Sequence, residues 1–191
     1  SAASDVYKRQ ALVSRYPVLD HKYVRFADTS NDYLRADLLV GGDTVRLFAV
    51  HLQTSGIAQL RHRFRKDYDR DAPVEQILGE LEHNSSIRAG QVGEIRAEMD
   101  ASPYPVILAG DFNESNMSSE MMVKLKEKWE IISTSSNTFM NTATPKRIDY
   151  IVLYKGNKAA CEVLGTAVPS YDEINVNKVS DHLPVLVDIK K

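Results

Sequence analysis

Short apolar segments rich in β-branched and aromatic residues recur along the whole chain, and each has the length of one β-strand. This pattern predicts strands at residues 11–16, 23–26, 33–40, 45–52, 105–109, 148–154, 162–168 and 184–189. The turn residues Gly41, Gly42 and Asp43 join the third segment to the fourth, which predicts a β-hairpin. A chain with this pattern must fold around a sheet.

Helical patterns lie between some of these strands. Asn84 and Ser85 can cap one helix that ends before Pro103, and Ser118 and Ser119 can begin another. Their apolar stripes would be Ile87, Val92, Ile95 and Met99, and Met122, Leu125 and Trp129. Residues 61–70 are dense in charge and fit either a solvated helix or a long loop. Because strands outnumber helices, we predict an α/β fold: a two-sheet β-sandwich flanked by helices.

The composition is that of one ordinary globular domain. The chain has 191 residues, of which 43% are hydrophobic and 26% charged. Its formal charge of −2 means that any contact with nucleic acid must come from a local basic patch. Cys161 is the single cysteine and cannot form an internal disulfide. No apolar run has the length of a transmembrane segment.

The first ten residues, SAASDVYKRQ, resemble the translation of a transposon adapter used in sequencing libraries. We therefore expect residues 1–10 to be a scar, residues 11–191 to form the domain, and the native protein to extend further upstream. An ordinary polar segment that precedes a strand is the alternative.

Four polar segments follow or interrupt the predicted strands, where a sheet can present a site. His51 ends one strand and can contact a phosphate, although a core histidine is the alternative. Asp111 and Asn113 follow another strand, and either face a site together or form an Asx turn.

The remaining two segments lie nearer the C-terminus. Asp149 stands inside an apolar strand and needs an imidazole or cationic partner, and an ion pair with Arg147 would be a purely structural solution. Asp181 and His182 precede the last strand, where they either serve different roles in a site or belong to a polar loop.

Together these residues suffice for phosphoester hydrolysis. That reaction needs a cation to neutralise developing charge, a group that aligns or deprotonates water, and donors around the phosphate. Carboxylates suit a hard cation such as Mg²⁺, and an imidazole beside a carboxylate suits proton transfer.

The motifs HLQ at His51, GDFN at residues 110–113, RIDYI at residues 147–151 and SDHLP at residues 180–184 resemble the endonuclease/exonuclease/phosphatase family. This family includes deoxyribonucleases, abasic-site endonucleases, neutral sphingomyelinases and inositol polyphosphate phosphatases. The resemblance covers residues 11–191 and implies a DNase-like fold that lacks N-terminal strands.

The resemblance also implies a role for each motif residue. Asp111 would activate the attacking water, and Asn113 would hold that water or a phosphate oxygen. His51 would contact the phosphate. His182, oriented by Asp149, would stabilise the phosphorane-like state or act as acid and base.

The cofactor implied by the resemblance is Mg²⁺, or Mn²⁺ in its place, with Asp181 as a ligand. The substrate would be nucleic acid, a phospholipid head group or an inositol phosphate.

Two other functions fit the same residues less well. A catalytically inactive member of the family could serve as a binding module, although it would have no need of the full polar set. A serine hydrolase built from Ser180, Asp149 and His182 lacks the G-x-S-x-G elbow.

One part of the family pattern cannot be placed in this sequence. Members carry an upstream asparagine and a metal-binding glutamate, and neither motif is found before Ala11. Because a missing carboxylate weakens metal binding and missing strands leave a sheet edge unpaired, we expect this chain to be weakly active or inactive. Adding the upstream segment should raise metal-dependent hydrolysis, and an unchanged rate would contradict this expectation.

Overall fold

The computed structural model describes residues 10–27, 29–68, 73–140, 145–156, 161–169 and 180–190. The strands and helices along the chain are β1 Val18–Arg25, β2 Asp32–Val40, β3 Asp43–His51, α1 Ile57–Tyr68, α2 Val74–Asp100, β4 Val106–Asp111, α3 Glu120–Lys128, β5 Trp129–Ile131, β6 Asp149–Tyr154, β7 Glu162–Ala167 and β8 Leu186–Lys190. Cys161, the single cysteine, is half-buried and lies just before β7.

The strands form two sheets. A six-stranded sheet has the order β1-β2-β3-β4-β6-β5, and β7 pairs with β8 in a second sheet. Strands β3 and β4 run parallel, whereas the other neighbouring pairs are antiparallel. The α/β fold with two sheets and flanking helices, predicted from the sequence, is confirmed.

One face of the six-stranded sheet packs against α2 and α3. Because side chains alternate along a strand, every second residue of β3, β4 and β6 points to this face. The resulting core includes Phe48, Val50, Leu108, Tyr150 and Val152 from the sheet and Val92, Ile95, Met99, Met121, Met122 and Leu125 from the helices. The other face of the same strands is left to carry the polar residues at their ends.

The predicted hairpin between β2 and β3 is confirmed. Val40 pairs with Asp43 across a two-residue turn. Gly41 and Gly42 both adopt positive φ angles, of 61° and 91°. These angles match the turn type whose twist suits two antiparallel strands, and glycine adopts them without steric cost.

The first predicted strand is wrong. Residues 11–16 form no strand, and the chain bends at residues 15 and 16 before β1 begins at Val18. Val13 is 97% exposed, so its apolar side chain packs against nothing that would hold this segment to the sheet.

The start of the helix predicted at Asn84 and Ser85 is also wrong. Helix α2 begins ten residues earlier, at Val74, directly after Pro73. Asn84 lies inside the helix and is only 2% exposed. Its side chain tolerates burial because Nδ2 donates to the Ser55 carbonyl oxygen and Oδ1 accepts from Gln53.

The charged segment at residues 61–70 forms a solvated helix as far as the described residues extend. Helix α1 buries Leu60 and Phe64 against Ile77 of α2. Its basic residues Arg61, Arg63, Arg65 and Lys66 are exposed. Helix α3 begins at the predicted cap, since the Ser119 hydroxyl accepts from the Met122 amide. Trp129 is buried as predicted but already belongs to β5.

The second sheet is exposed on the part of the chain that is described. All residues of β7 are exposed, including Leu164 at 54%. The expectation that the missing upstream strands leave a sheet edge unpaired stays a prediction. None of the described helices combines the length and apolarity needed to cross a membrane.

Gly110 should be irreplaceable at the junction of β3 and β4. Its φ angle is 146°, and a Cβ atom there would lie 2.0 Å from the carbonyl oxygen of Val50. We expect Gly110→Ala to lower the free energy of unfolding by at least about 2 kcal/mol in urea titrations, because the strands must separate to admit the methyl group.

Gly93→Ala is the matched control, since no heavy atom lies within 4 Å of the added Cβ in helix α2. That change should raise stability by about 0.5–1 kcal/mol through helix propensity. Equal stabilities for the two variants would contradict the predicted close contact.

Candidate active site

The register of the six-stranded sheet places the motif residues of three strands side by side. His51 at the end of β3 pairs with Asp111 at the end of β4, which pairs with Asp149 at the start of β6. Directly paired residues point to the same face of a sheet. Three motifs that lie far apart in the sequence therefore meet at one end of the sheet.

His182 joins this row from the C-terminal segment. A single bridge pairs His182 with Phe139, and the Leu183 amide donates to the Thr138 carbonyl oxygen at 2.6 Å. The imidazole lies against the Phe139 ring, with 5.0 Å between ring centroids. The loop before β6 therefore determines where the histidine enters the site.

Asp149 fixes the orientation of the His182 ring. Its Oδ2 atom lies 2.9 Å from His182 Nδ1 and accepts a 2.6 Å hydrogen bond from the Thr138 hydroxyl. Thr138 is fully buried. This contact satisfies the need of Asp149 for an imidazole partner, and it leaves Nε2 of His182 facing Asp111.

Asp111 uses its two carboxylate oxygens differently. Oδ1 accepts from the Asn113 backbone amide at 2.7 Å, so the Asx turn considered from the sequence does form. Oδ2 lies 3.6 Å from His51 Nε2 and 3.9 Å from His182 Nε2. The Asp111 side chain thus forms the Asx turn through one oxygen and faces the two histidines through the other.

Asn113 is held in the same turn. Its φ angle is 51°, a left-handed conformation that asparagine tolerates better than most residues. Its Nδ2 atom donates to the Leu52 carbonyl oxygen at 2.9 Å, which ties the GDFN loop to the residue after His51.

The charges of the cluster shift two pKa values. Burial, with the negative charge of Asp149 as a second cause, raises the pKa of Asp111 from 3.8 to about 6. The hydrogen bond to Asp149 raises the pKa of His182. Asp111 therefore loses its proton near neutral pH, whereas His182 retains a proton to a higher pH than an ordinary histidine.

A polar stripe on helix α2 supports the loops of the site, and the sequence analysis missed it. The stripe consists of Asn84, Arg88 and Gln91, which are all buried. Gln91 Oε1 accepts from the backbone amide of Gln53 at 2.8 Å. Asn84 Oδ1 accepts from the side chain of Gln53 at 2.7 Å.

Arg88 connects this stripe to the GDFN loop. Its guanidinium donates to the Gln53 carbonyl oxygen at 3.2 Å and to Glu114 Oε2 at 3.1 Å. Separating such a buried ion pair would leave an uncompensated charge, which is costly. The contacts of Arg88 therefore hold the loop at Gln53 and the loop at Glu114 against helix α2. Polar residues spaced by four and three positions in a helical pattern were the available sequence signal.

The predicted site residues divide into three groups. His51, Asp111, Asp149 and His182 come together, and Asn113 lies in the same turn as Asp111. Asp181 lies at the exposed rim, and its charge still raises the pKa of both Asp111 and His182.

Neither the Arg147–Asp149 ion pair nor the serine nucleophile considered from the sequence is formed. Arg147 donates to the Ser133 carbonyl oxygen at 2.8 Å, and no ion pair joins it to Asp149 among the described residues. The Ser180 hydroxyl accepts from the backbone amide of His182, so it is not hydrogen-bonded to the imidazole as a serine nucleophile would be.

The site has a set of groups that fits a hard divalent cation. Asp111, Asp149 and His182 each offer a ligand atom, and these atoms lie within 4.8 Å of one another. No lysine or arginine forms an ion pair with Asp111 or Asp149 in the described ranges. Clustered carboxylate oxygens that no lysine or arginine neutralises are donors that Mg²⁺ prefers.

Comparisons with known proteins agree with this geometry. A sequence model of the Endonuclease/Exonuclease/phosphatase family matches residues 2–182. The chain belongs to this family. None of the curated proteins matches its sequence significantly.

Solved structures of the family share the fold. TDP2 of D. rerio with a single-strand DNA product has a TM-score of 0.63 and 16% identity, covering 93% of this chain and 69% of that one. Sphingomyelinase C from Streptomyces griseocarneus has a TM-score of 0.57 and 21% identity, covering 91% and 65%.

A beta toxin mutant from Staphylococcus aureus with bound magnesium ions has a TM-score of 0.58 and 17% identity, covering 91% and 65%. The chain spans about two thirds of the length of these family members. The family and its magnesium-bound member support metal-dependent phosphoester hydrolysis as the general chemistry.

Asp111→Asn should stabilise this family member at neutral pH. The pKa of Asp111 is raised in the folded protein, so folding stability falls as pH rises from about 4 to about 6. The neutral amide avoids this cost, and we expect a gain of up to about 3 kcal/mol at about pH 7.5 that disappears near pH 4.

Thermal unfolding at both pH values measures the difference, with Asp188→Asn on exposed β8 as the control. A lower melting temperature for Asp111→Asn at the higher pH would contradict the assignment.

Proposed function

We propose that this chain hydrolyses a phosphoester, at a reduced rate, in a reaction that depends on Mg²⁺, or on Mn²⁺ in its place. The observation that carries the proposal is the position of Asp111 Oδ2, which lies 3.6 Å from Nε2 of His51 and 3.9 Å from Nε2 of His182. A carboxylate flanked by two imidazoles can act on water while the imidazoles contact a phosphate.

Asp111 would orient and deprotonate the attacking water. Its pKa of about 6 makes it ionised at neutral pH and still basic enough to take a proton. Asn113, anchored through Nδ2 to Leu52, would hold the same water or a phosphate oxygen through its remaining amide atoms.

The two histidines would contact the phosphate. His182 is held in one orientation by Asp149 and has a raised pKa, so its protonated ring can donate to an oxygen that gains negative charge. The same protonated ring can donate its proton to the leaving group. His51 would donate to a second phosphate oxygen from the other side of Asp111.

Asp181 would hold the cation at the rim, close enough to Asp111 for its negative charge to raise the pKa of Asp111. Bound Mg²⁺ would neutralise the negative charge of the phosphate as the ester is cleaved. The carboxylates of Asp111, Asp149 and Asp181 supply the excess negative charge that favours binding of the cation.

The substrate class is a separate part of the proposal. The substrate is a phosphodiester or a phosphomonoester, and nucleic acid, a phospholipid head group or an inositol phosphate fits the family. The DNA product bound to TDP2 and the name sphingomyelinase C give precedents for the first two. A catalytically inactive binding module is the alternative function.

Hydrolysis of bis(p-nitrophenyl) phosphate tests the proposal. We expect EDTA to abolish the reaction and added Mg²⁺ to restore it. His182→Ala should lower kcat/KM by about 10²- to 10⁴-fold, because the general acid is lost.

His21→Ala on exposed strand β1 is the control and should leave the rate unchanged. Rates that are equal for the wild type and His182→Ala, or indifferent to EDTA, would favour the binding module.

A further inference from the structure

A cavity of about 270 Å³ opens beside the catalytic cluster, which consists of His51, Asp111, Asp149 and His182, and shares His51 with it. It lies between the start of β2, the loop that follows β3 and the first half of α2. The residues that give it its chemistry are Asn31, Asp32, Gln53, Gln59 and Glu80. A group attached to a phosphate at His51 would extend into this cavity.

The wall of the cavity carries negative charge and hydrogen-bond acceptors. Asp32 and Glu80 contribute carboxylates, and no lysine or arginine is among the described residues that line it. Asp32 is only 4% exposed and accepts a hydrogen bond from the Tyr23 hydroxyl. Its carboxylate is therefore held in one position within the wall. Of the lining residues that the structure describes, only His51 can become cationic, and it also pairs with Asp111.

Glu80 is held in the wall of the cavity by a buried amide. Its Oε1 atom accepts from Asn84 Nδ2 at 2.7 Å, and Asn84 is 2% exposed. Gly56 makes this approach possible, because a Cβ atom at that position would lie 2.3 Å from the same oxygen. The carboxylate is therefore positioned before any ligand arrives, which reduces the entropic cost of binding.

These charges discriminate between groups that a phosphoester can carry. A second phosphate would approach two carboxylates without a basic residue to neutralise it, and like charges in such a setting oppose binding. Hydroxyl and ammonium groups would instead donate to Glu80 and to the amide oxygens of Gln53 and Gln59.

We propose that the cavity binds the ester group next to the scissile phosphate and selects one that is rich in hydrogen-bond donors and carries no negative charge. This inference rests on the proposed function, and it narrows the substrate from any phosphoester to one with an amine or polyol substituent. Esters that carry additional phosphates would be poor substrates.

A set of p-nitrophenyl phosphodiesters tests the selection, since all release the same chromophore. The second ester group is ethanolamine, glycerol, thymidine or thymidine 3′-phosphate. We expect kcat/KM to fall by at least about tenfold when the 3′-phosphate is added to the thymidine ester. The ethanolamine or the glycerol ester should exceed both, and which of the two is faster identifies an ammonium or a polyol as the preferred group.

Glu80→Gln keeps the shape of the wall and removes one charge. It should reduce the ratio of kcat/KM between the thymidine and thymidine 3′-phosphate esters by about threefold or more, whereas Glu82→Gln on the exposed side of α2 should leave this ratio unchanged. Equal rates for the two thymidine esters, or an unchanged ratio in Glu80→Gln, would overturn the proposal.

Failure of the proposed function can be recognised separately. If bis(p-nitrophenyl) phosphate is not hydrolysed, NMR titrations with phosphoethanolamine, glycerol 3-phosphate and pyrophosphate still report on the cavity. Shifts of the Gln59 and Glu80 amide signals with either of the first two ligands and not with pyrophosphate would support the selection. Equal shifts with pyrophosphate, or no shifts with any ligand, would refute it.

Discussion

The pairing register at one end of the six-stranded sheet fixes the geometry of the whole site. Asp32, His51, Asp111 and Asp149 lie in one row across β2, β3, β4 and β6. A shift of one strand by a single residue would turn its polar side chain to the helix face and bury it in the core. The tight contact between Gly110 and Val50 holds β3 and β4 in register where two of these residues pair.

The row of strand-end residues concentrates negative charge at one end of the sheet, and the surrounding structure must hold these carboxylates close together. Burial and the neighbouring carboxylate keep the proton affinity of Asp111 high. The buried ion pair of Arg88 and Glu114 fixes the adjacent loops without neutralising the site. A phosphoesterase gains from this arrangement, because the same unbalanced carboxylates attract a cation and keep a base ready near neutral pH.

Much of the fold could be predicted from the sequence, since alternating apolar residues and the Gly41–Gly42 turn act locally. The start of α2 could not be predicted, because asparagine is a common helix cap. The sequence does not show that Asn84 is buried inside the helix by its hydrogen bond with Gln53. The four motif segments predicted which residues could form a site. Only the register and the bridge from Phe139 to His182 reveal that four of these side chains meet.

Paramagnetic NMR with Mn²⁺ tests most directly whether this cluster is a cation-dependent centre. Mn²⁺ should broaden the amide signals of Asp111, Asn113 and His182 before those of β7 and β8. Asp181→Asn should weaken this broadening, and Asp188→Asn on β8 should not. Broadening that is spread over the surface, or unchanged in Asp181→Asn, would contradict a metal site at these residues.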